Sequence, residues 1–208
     1  MIKFLGKIPK KIVLACSGGS DSMAILNFLT KGGRDIEVAH INHRTKHGFE
    51  ASQFVEKFCW NNGIKFHCSL VATERPAKTS LEEFWRNERY KFLENFSDPI
   101  ITAHHLDDAI ETWLFTAMHG EARLIPYSRD NIIRPFLITT KNDLDDWCKR
   151  HSIPFIKDPS NLDVKHPRNR IRNIIMKDVL EINKGIHKVI RKKYLNINTQ
   201  KESQNDSR

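Results

Sequence analysis

Residues 11–22 of the chain read KIVLACSGGSDS, and this stretch decides the fold. Its first half contains a continuous apolar run, residues 12–16, which predicts a buried strand of a parallel sheet. Its second half is a turn with two glycines, after which apolar residues recur at helical spacing over residues 20–31. A strand, a glycine-rich turn and a helix in this order are typical of an α/β fold.

The alternation of strands and helices continues up to residue 118. Further strands are predicted over residues 36–41, 64–71 and 99–103, and further helices over residues 47–62, 80–95 and 106–118. This order predicts a doubly wound parallel sheet, in which the ligand crevice lies beyond the carboxyl ends of the strands. Polar segments follow three of the strands, at residues 17–22, 42–47 and 104–108. We therefore expect these three segments to meet in one crevice.

The chain after residue 118 is less regular. We expect a loop over residues 119–134 with an extended piece at Ile132-Ile133, then a helix over residues 140–150 and a short strand near residues 154–156. A polar functional loop is expected over residues 158–169, and basic helices over about residues 170–182 and 185–195. The polar tail from Asn196 is expected to be disordered. The predicted organisation is an α/β domain (residues 1–160), a small basic helical extension (161–195) and a tail (196–208).

The positive charge of the chain is concentrated towards its C-terminal end. The chain carries 34 Lys and Arg against 25 Asp and Glu, a formal net charge of +9. Residues 165–193 alone contain ten basic and two acidic residues. Such a cluster indicates a polyanionic partner such as nucleic acid, with a solvated basic surface as the alternative.

The remaining composition is typical of a globular protein of a reducing compartment. With 39% hydrophobic residues, the chain has no apolar stretch long enough to cross a membrane. The first residues, MIKFLGKIPKK, lack the apolar segment and cleavage site of a signal peptide, so we expect a cytoplasmic protein. The four cysteines are scattered without a C-x-x-C pair, which argues against a zinc site or an iron–sulfur cluster.

The turn SGGSDS is suited to bind phosphate. Gly18 and Gly19 permit backbone angles that other residues avoid and let N–H groups approach an anion closely. The helix that follows adds unpaired N–H groups and the positive end of its dipole. Ser17 and Ser22 supply hydroxyl donors, and the carboxylate of Asp21 can hold Mg²⁺ against phosphates. The alternative is a tight turn in which Ser20 only caps the helix, but the whole hexapeptide after a buried strand favours phosphate binding.

A second polar cluster opens the helix over residues 106–118. Asp108 and Glu111 are three positions apart and therefore share one face of this helix. They lie near the predicted phosphate loop, where paired carboxylates can hold Mg²⁺ or accept a proton from an attacking amine. The alternative is that Asp107 and Asp108 only complement the helix dipole.

Two arginines lie on the helix over residues 80–95. Either Arg86 or Arg89 can neutralise phosphate charge in a transition state. Salt bridges to Glu82 or Glu83 are the alternative role of these arginines.

Together these segments resemble the tRNA(Ile)-lysidine synthetases, a family of the N-type ATP-pyrophosphatase or PP-loop superfamily. The resemblance covers most of residues 11–180. It rests on SGGSDS, on INH at residues 41–43, WRNERY at 85–90, TAHHLDDAIET at 102–112, IRPF at 133–136, DPSN at 158–161 and RNRIR at 168–172. The phosphate loop is shared by the whole superfamily, whereas HHxDDxxET and DPSN…RNxxR are more specific to this family.

The resemblance implies a two-step ligation. The C2 oxygen of the wobble cytidine in the CAU anticodon of an isoleucine tRNA attacks the α-phosphate of ATP, and pyrophosphate leaves. The ε-amine of free lysine then displaces AMP, which leaves lysidine in the tRNA. The implied cofactors are ATP and Mg²⁺, and the implied partners are free lysine and the anticodon region of tRNA. Such chemistry mostly requires positioning and neutralisation of phosphate charge.

The same comparison gives each motif residue an expected role. The expected ATP-binding residues are Ser17, Gly18, Gly19, Ser20, Asp21, Ser22 and His43. The expected catalytic residues are Asp21, Asp108, Glu111 and Arg86, with Mg²⁺ on Asp21 and Asp108. The expected contacts to the tRNA substrate are Arg89, Asn161, Arg168, Arg172, Lys188 and Arg191. An alternative role for Arg168 and Arg172 is to organise the DPSN loop.

Two loops depart from the family pattern, and little chain follows the last basic helix. The family's His-Gly-Leu-Arg after the second strand is HRTK at residues 43–46, and its glycine-rich stretch after the acidic helix is HGEARLIP at residues 119–126. Many members also carry C-terminal domains that grip tRNA, and the resemblance is to a short form. Either the basic helices take the place of those domains, or recognition rests on the anticodon loop alone.

Two other functions are compatible with the phosphate loop. The two-thiocytidine tRNA enzymes of the superfamily need paired cysteines of a kind that this sequence lacks. A tRNA-binding protein with reduced catalysis would keep the same fold, but the presence of Asp21, Asp108 and Glu111 argues against it.

Overall fold

Strands and helices alternate through the first part of the chain. The structure is a computed structural model that describes residues 1–71 and 74–205, except for the side chains of Glu82 and of residues 198–205. The first elements are β1 (Lys11–Ala15), α1 (Ser20–Lys31), β2 (Asp35–Asn42), α2 (Lys46–Asn61), β3 (Lys65–Leu70), α3 (Leu81–Leu93), β4 (Ile100–Thr102) and α4 (Leu106–Ala117).

Shorter elements follow α4. They are β5 (Ser128–Arg129), β6 (Ile132–Ile133), α5 (Lys141–Arg150), a 3₁₀ turn (Pro159–Leu162), α6 (Pro167–Arg170), α7 (Met176–Ile182) and α8 (Ile186–Asn205). A π-helical stretch, Ile171–Ile175, joins α6 to α7 into one continuous helical segment.

The strands form one sheet in the order β3-β2-β1-β4-β6-β5. All neighbours pair in parallel except β5 and β6, which form an antiparallel hairpin. The chain runs from β1 to β2 and β3 on one side and then crosses to β4 on the other side, so the topological switch point lies between β1 and β4. Ala15, the last residue of β1, pairs with Thr102, the last residue of β4. The segments that follow these two strands therefore start side by side, and the predicted doubly wound α/β fold is confirmed.

Both faces of the central strand are covered. Ile12 and Leu14 of β1 belong to a buried cluster with residues of α1 such as Leu26, whereas Val13 packs with Leu93 of α3 on the opposite face. This explains why β1 is a continuous apolar run rather than an alternating one. Helix α8 packs through Ile186, Ile190 and Tyr194 into a cluster that includes α4.

Three predictions for the second half differ from the structure. The predicted strand near residues 154–156 is wrong, since this segment belongs to no strand of the described sheet. Its Ile156 N–H donates instead to the carbonyl of Gly18 (3.0 Å). The predicted loop before residue 134 contains a second short strand, β5, which pairs with β6. Disorder from Asn196 is also wrong as far as Asn205, because α8 continues to that residue. A polar sequence rich in Gln, Lys and Glu can continue a helix whose first half is packed against the protein. Residues 206–208 lie outside the described residues.

Across residues 1–71 and 74–205, none of the helices combines the length and the apolar character that crossing a lipid bilayer requires.

Candidate active site

The phosphate loop lies between β1 and α1, at the edge where the switch point was expected. Gly18 has a φ of 86°, a left-handed conformation that favours glycine. A Cβ on Gly18 would also lie 3.0 Å from a methyl group of Val55. Gly19 caps α1 without a side-chain hydrogen bond to the helix, and Ser20 is already inside α1. The first N–H groups of α1 are therefore suited to bind an anion, and Ser20 is not the helix cap.

Two serine hydroxyls shape this loop. Ser22 Oγ donates to the carbonyl of Gly19 at 3.0 Å and lies 3.3 Å from Ser17 Oγ. Ser22 is buried, whereas Ser17 is exposed. Ser22 therefore holds the loop from the inside, and the hydroxyl of Ser17 is accessible to a ligand.

Asp21 is the centre of a charged cluster at the start of α1. Nζ of Lys141 lies 2.6 Å from Asp21 Oδ1 and 2.7 Å from Ser20 Oγ. Nε2 of His105 lies 3.6 Å from the other carboxylate oxygen of Asp21. Burial raises the pKa of Asp21, but the hydrogen bond and charge of His105 and the ammonium of Lys141 outweigh it and lower this pKa to about 2. Asp21 is therefore fully ionised at neutral pH.

His105 joins the phosphate loop to α4. It is the N-cap residue of α4 and is 5% exposed. Besides Asp21, its ring nitrogens lie 3.7 Å from Asp107 and 3.4 Å from Asp108. Burial lowers the pKa of His105, but the three carboxylates, with Asp108 foremost, raise it to about 9. The ring is thus a buried imidazolium at neutral pH.

The two contacts of His105 Nδ1 exclude each other. As a cap, Nδ1 would accept the N–H of Asp108 at 3.4 Å, whereas a protonated Nδ1 points its hydrogen towards Asp107. Three carboxylates around a buried ring favour the protonated form. The other half of the capping box does not depend on the protonation of the ring, because Asp108 Oδ2 accepts the backbone N–H of His105 at 3.0 Å.

Glu111 lies three residues after Asp108 on α4 and is paired with two arginines. Arg168 Nη1 donates to Glu111 Oε1 at 3.1 Å, and Arg172 Nε and Nη2 approach Oε2 at 2.9 and 2.7 Å. Nη2 of Arg172 also lies 3.0 Å from Asp108 Oδ1. Burial raises the pKa of Glu111, and the charges of Arg172 and Arg168 oppose this effect. With contacts this short the pair stays ionised at neutral pH, and Arg172 bridges the two predicted catalytic carboxylates.

The DPSN loop is organised by asparagines. Asn169 donates to the carbonyl of Ser160 at 2.9 Å, and Asn173 donates to the carbonyl of Asn161 at 2.8 Å. The side chain of Asn161 is exposed. The motif RNxxRN at residues 168–173 thus has two functions. Arg168 and Arg172 contact the carboxylates of α4, whereas Asn169 and Asn173 hold the DPSN loop.

Two neutral histidines follow strands of the sheet, His43 after β2 and His104 after β4. His43 stacks on Trp85 with ring centroids 4.7 Å apart, and His43 Nδ1 is buried without a hydrogen-bond partner in the described part of the chain. Burial, with the charge of Arg89, lowers the pKa of His43 to about 4. Burial and two nearby arginines, one of them Arg89, also lower the pKa of His104 to about 4, against the charge of Asp108. Both rings are uncharged at neutral pH and are suited to contact a nucleotide base.

Arg86 and Arg89 have different surroundings. The guanidinium of Arg86 lies 5.0 Å over the ring of Tyr90 and donates to its hydroxyl at 3.3 Å. The charge of Arg89 acts on both His43 and His104. Of the two arginines, Arg89 is therefore the one near the crevice, and a phosphate contact by Arg86 requires it to leave Tyr90.

The departure from the family pattern after β2 has a backbone consequence. Arg44, at the position of the family's glycine, has a φ of 60°. The N–H of Arg44 donates to Asn42 Oδ1 at 2.8 Å, which stabilises this turn. Arg44 therefore adopts a left-handed backbone conformation that favours glycine, and this costs free energy.

The basic helix α8 contributes both exposed and buried contacts. Lys188 is exposed, whereas Arg191 donates to the backbone carbonyl of Ile138 at 3.0 Å. His187 Nε2 lies 3.0 Å from Asp107 Oδ1. Helix α8 is thus linked to the start of α4, next to the charged cluster.

Lys141 and His187 contact the charged cluster but are not among the site residues predicted from the sequence. Lys141 is the first residue of α5, where the helix dipole opposes a cation. A cation at this position signals a carboxylate partner, and this signal could have identified Lys141. The contact between His187 and Asp107 spans 80 residues of sequence and carries no local signal.

The two carboxylates expected to hold Mg²⁺, those of Asp21 and Asp108, both lie close to the ring of His105. Asp21 and Asp108 are 3.6 and 3.4 Å from His105 Nε2. Carboxylate oxygens suit Mg²⁺, which commonly takes one or two of them together with waters and substrate phosphates. The donor atoms therefore fit this ion. In the described part of the chain, no group of three or more His, Cys, Asp or Glu residues could hold a metal ion.

The sequence matches a known protein family along most of its length. The profile of the PP-loop domain family matches residues 3–179. The tRNA(Ile)-lysidine synthase of Pseudothermotoga lettingae is 33% identical over 183 residues, which cover 80% of this chain and 41% of that protein. The bifunctional protein TilS/HprT of Listeria monocytogenes is 33% identical over 198 residues, which cover 85% of this chain and 31% of that protein. The chain thus spans less than half of the length of these relatives.

Solved structures show the same fold at low sequence identity. The U34-tRNA thiolase NcsA from Methanococcus maripaludis superposes with a TM-score of 0.73 at 17% identity, over 93% of this chain and 74% of that chain. The NH3-dependent NAD synthetase from Campylobacter jejuni superposes with a TM-score of 0.51 at 13% identity, over 90% of this chain and 86% of that chain. Both similarities concern the fold alone.

Proposed function

The chain belongs to the PP-loop family, and from this premise we propose that it ligates lysine to the C2 position of a wobble cytidine in tRNA. ATP is consumed in the reaction, and pyrophosphate and AMP are released. The tRNA is an isoleucine tRNA with a CAU anticodon, and the product is lysidine.

The observation that carries this proposal is the contact between the phosphate loop and the acidic helix. The ring of His105 lies 3.6 Å from Asp21 of the loop and 3.4 Å from Asp108 of α4. A nucleotide on the loop would therefore have its phosphates next to carboxylates that attract an amine. Activation by ATP followed by attack of an amine requires both groups in one place.

In the first step the phosphate loop would hold ATP. N–H groups at the start of α1 and the hydroxyl of Ser17 donate to phosphate oxygens. The C2 oxygen of cytidine then attacks the α-phosphorus, and the bond to the β-phosphate oxygen breaks as pyrophosphate leaves. When bound to Asp21 and Asp108, Mg²⁺ supplies positive charge to the phosphates.

The neutral histidines would contact a base. His43 stacks on Trp85, and its buried Nδ1 has no hydrogen-bond partner in the described part of the chain. His104 is uncharged as well, because its pKa is lowered to about 4 by burial. Arg89 adds a cation beside these two histidines, where it can contact the sugar–phosphate chain of the tRNA.

In the second step the ε-amine of lysine attacks C2, and the C2–oxygen bond breaks as AMP leaves with the oxygen. The ammonium form of lysine is attracted by Asp108 and Glu111, in competition with Arg172, which now bridges them. The amine must lose a proton before it attacks. Asp108 and Glu111 are the two candidate acceptors, and either one must first exchange its contact with Arg172 for the amine.

The basic C-terminal helices would bind the tRNA backbone. Residues 165–193 contain ten basic and two acidic residues, and Lys188 is exposed on α8. Such a surface supplies sequence-independent affinity that falls as salt rises. Relatives named tRNA(Ile)-lysidine synthase support the choice of tRNA and lysine as substrates.

Release of pyrophosphate from ATP tests the proposal. With a CAU-anticodon tRNA but without lysine, we expect at most one pyrophosphate per active site, because the adenylated tRNA stays bound. Addition of lysine should allow continuous turnover, and a tRNA with a UAU anticodon, which lacks the wobble cytidine, should release none.

Other outcomes would replace the proposal by one of its alternatives. Binding of tRNA without any pyrophosphate release would indicate a tRNA-binding protein with reduced catalysis. Release that depends on tRNA but is sustained by a sulfur donor instead of lysine would indicate a different tRNA-modifying reaction.

A further inference from the structure

The phosphate loop has no basic residue of its own. Between β1 and the first turn of α1, Asp21 is the one charged side chain in the sequence. A triphosphate that enters this loop therefore meets a negative charge. The Walker-type phosphate loop solves this problem with a lysine that reaches the outer phosphates, so a cation from another element is needed here.

Lys141 is placed to supply this cation. Its Nζ contacts Ser20 Oγ at 2.7 Å and Asp21 Oδ1 at 2.6 Å, although it is 120 residues away from Asp21 in the sequence. Helix α5 does not need this side chain for its own start, because Thr140 and Asp143 form a capping box there. The position of Lys141 is thus explained by the phosphate loop and not by its own helix.

The third partner of Lys141 is replaceable. An ammonium group has three N–H donors, and the remaining contact runs to Asp145 Oδ1 at 3.1 Å. This pair lies at the surface, with side chains 36% and 37% exposed, and such pairs contribute little. A phosphate oxygen can take the place of Asp145 while Ser20 and Asp21 keep Nζ at the loop.

We propose that Lys141 binds the β- and γ-phosphates of ATP and stabilises the pyrophosphate that leaves. The α-phosphorus must face the tRNA and the carboxylates of α4. The outer phosphates then lie against the start of α1, where Nζ is held. This inference rests on the proposed function only in that ATP is the ligand.

Calorimetric titration of the full chain with ATP and with AMP tests the inference. Lys141→Gln should weaken ATP binding about tenfold or more, since a charge-assisted hydrogen bond is lost, while the affinity for AMP, which lacks the outer phosphates, stays within about twofold. Lys141→Arg should restore most of the ATP affinity. Lys149→Gln, at the exposed end of the same helix, should bind ATP like the wild type.

A second variant keeps the test independent of the folding of Lys141→Gln. Asp145→Asn removes the competing partner of Nζ and should leave ATP affinity unchanged or slightly higher. Equal losses of ATP and AMP affinity in Lys141→Gln, or unchanged ATP affinity, would overturn the inference. If the wild type makes lysidine but Lys141→Gln binds ATP as tightly as the wild type, this inference alone is contradicted. If Lys141→Gln loses affinity for ATP but not for AMP and the wild type makes no lysidine, only the proposed function is contradicted.

Discussion

Two carboxylates of the site, Asp21 and Glu111, have opposite surroundings. The side chain of Asp21 is 34% exposed and faces Lys141 and the ring of His105. That of Glu111 is 4% exposed and is held by the guanidinium groups of Arg168 and Arg172. The pKa of Asp21 is lowered to about 2, although burial opposes this, whereas burial raises the pKa of Glu111.

This difference separates a ligand-binding carboxylate from an anchoring one. The carboxylate of Asp21 is open to solvent on the side of Lys141, so a nucleotide and its metal ion can reach it there. The oxygens of Glu111 are fully used, and through Arg168 and Arg172 they hold the segment after the DPSN loop against α4. Changes at Asp21 should therefore affect mainly activity, whereas changes at Glu111 should lower stability as well.

The largest expected effect is the loss of activity in Asp21→Asn. Removal of this charge should lower the rate of tRNA-dependent pyrophosphate release on the order of 10²–10³-fold, as for the loss of one electrostatic contact in a transition state. The free energy of unfolding should change by about 1 kcal/mol or less, because the pair with Lys141 is partly exposed. A stable variant with normal turnover would contradict the role of Asp21 in the reaction. A variant that fails to fold would show that Asp21 is an anchoring carboxylate like Glu111.

Glu111→Gln should instead destabilise the fold by about 2–3 kcal/mol, since Arg168 loses its buried carboxylate partner and Arg172 keeps only Asp108. Urea unfolding measures this change. The matched control is Glu121→Gln, which breaks an exposed pair with Arg123 (71% and 70% exposed) and should cost less than about 0.5 kcal/mol. Similar stabilities of the two variants would show that Glu111 is not an anchor.

His105, whose ring contacts Asp21, Asp107 and Asp108, should make stability depend on pH. Its pKa of about 9 in the folded chain is above the unfolded value of about 6.5, so its contribution is complete below pH 6.5 and is lost as pH rises to about 9. The difference in unfolding free energy between the wild type and His105→Gln should therefore shrink over this range, by on the order of 2–3 kcal/mol. Parallel stability curves for the two proteins would contradict the charged state of the ring.

The smallest expected effect concerns the loop outside both carboxylate clusters. Arg44→Gly should raise the free energy of unfolding by up to about 1 kcal/mol, because it relieves a left-handed backbone conformation with a φ of 60°. Arg75→Gly, at an exposed loop position without positive φ, serves as a control and should not stabilise the chain. Thermal or urea unfolding of both variants decides the matter, and equal effects would rule out strain at Arg44.

The sequence predicts the phosphate loop well because its signals are local. The apolar run of β1, the glycines and the periodicity of α1 act within neighbouring residues, and the predicted helix over residues 20–31 has the same bounds in the structure. The convergence of the loop with α4 also follows from topology, since β1 and β4 end side by side.

The anchoring side of the site was less predictable, because its contacts connect distant parts of the chain. Arg172 and Glu111 are 61 residues apart, and nothing near either one reveals that they pair. The strand near residues 154–156 failed for a related reason, since a short apolar segment forms a strand only where a neighbour offers its edge. Helix α8 extends into a polar sequence because Ile190 and Tyr194 fix its first half against α4.

The most direct test of the central claim is mass spectrometry of tRNA nucleosides after incubation with this chain, ATP and isotopically labelled lysine. We expect the label in one nucleoside derived from the wobble cytidine of the CAU anticodon, and we expect Asp21→Asn to abolish this incorporation. Consumption of ATP in the presence of that tRNA without any labelled nucleoside would contradict the claim.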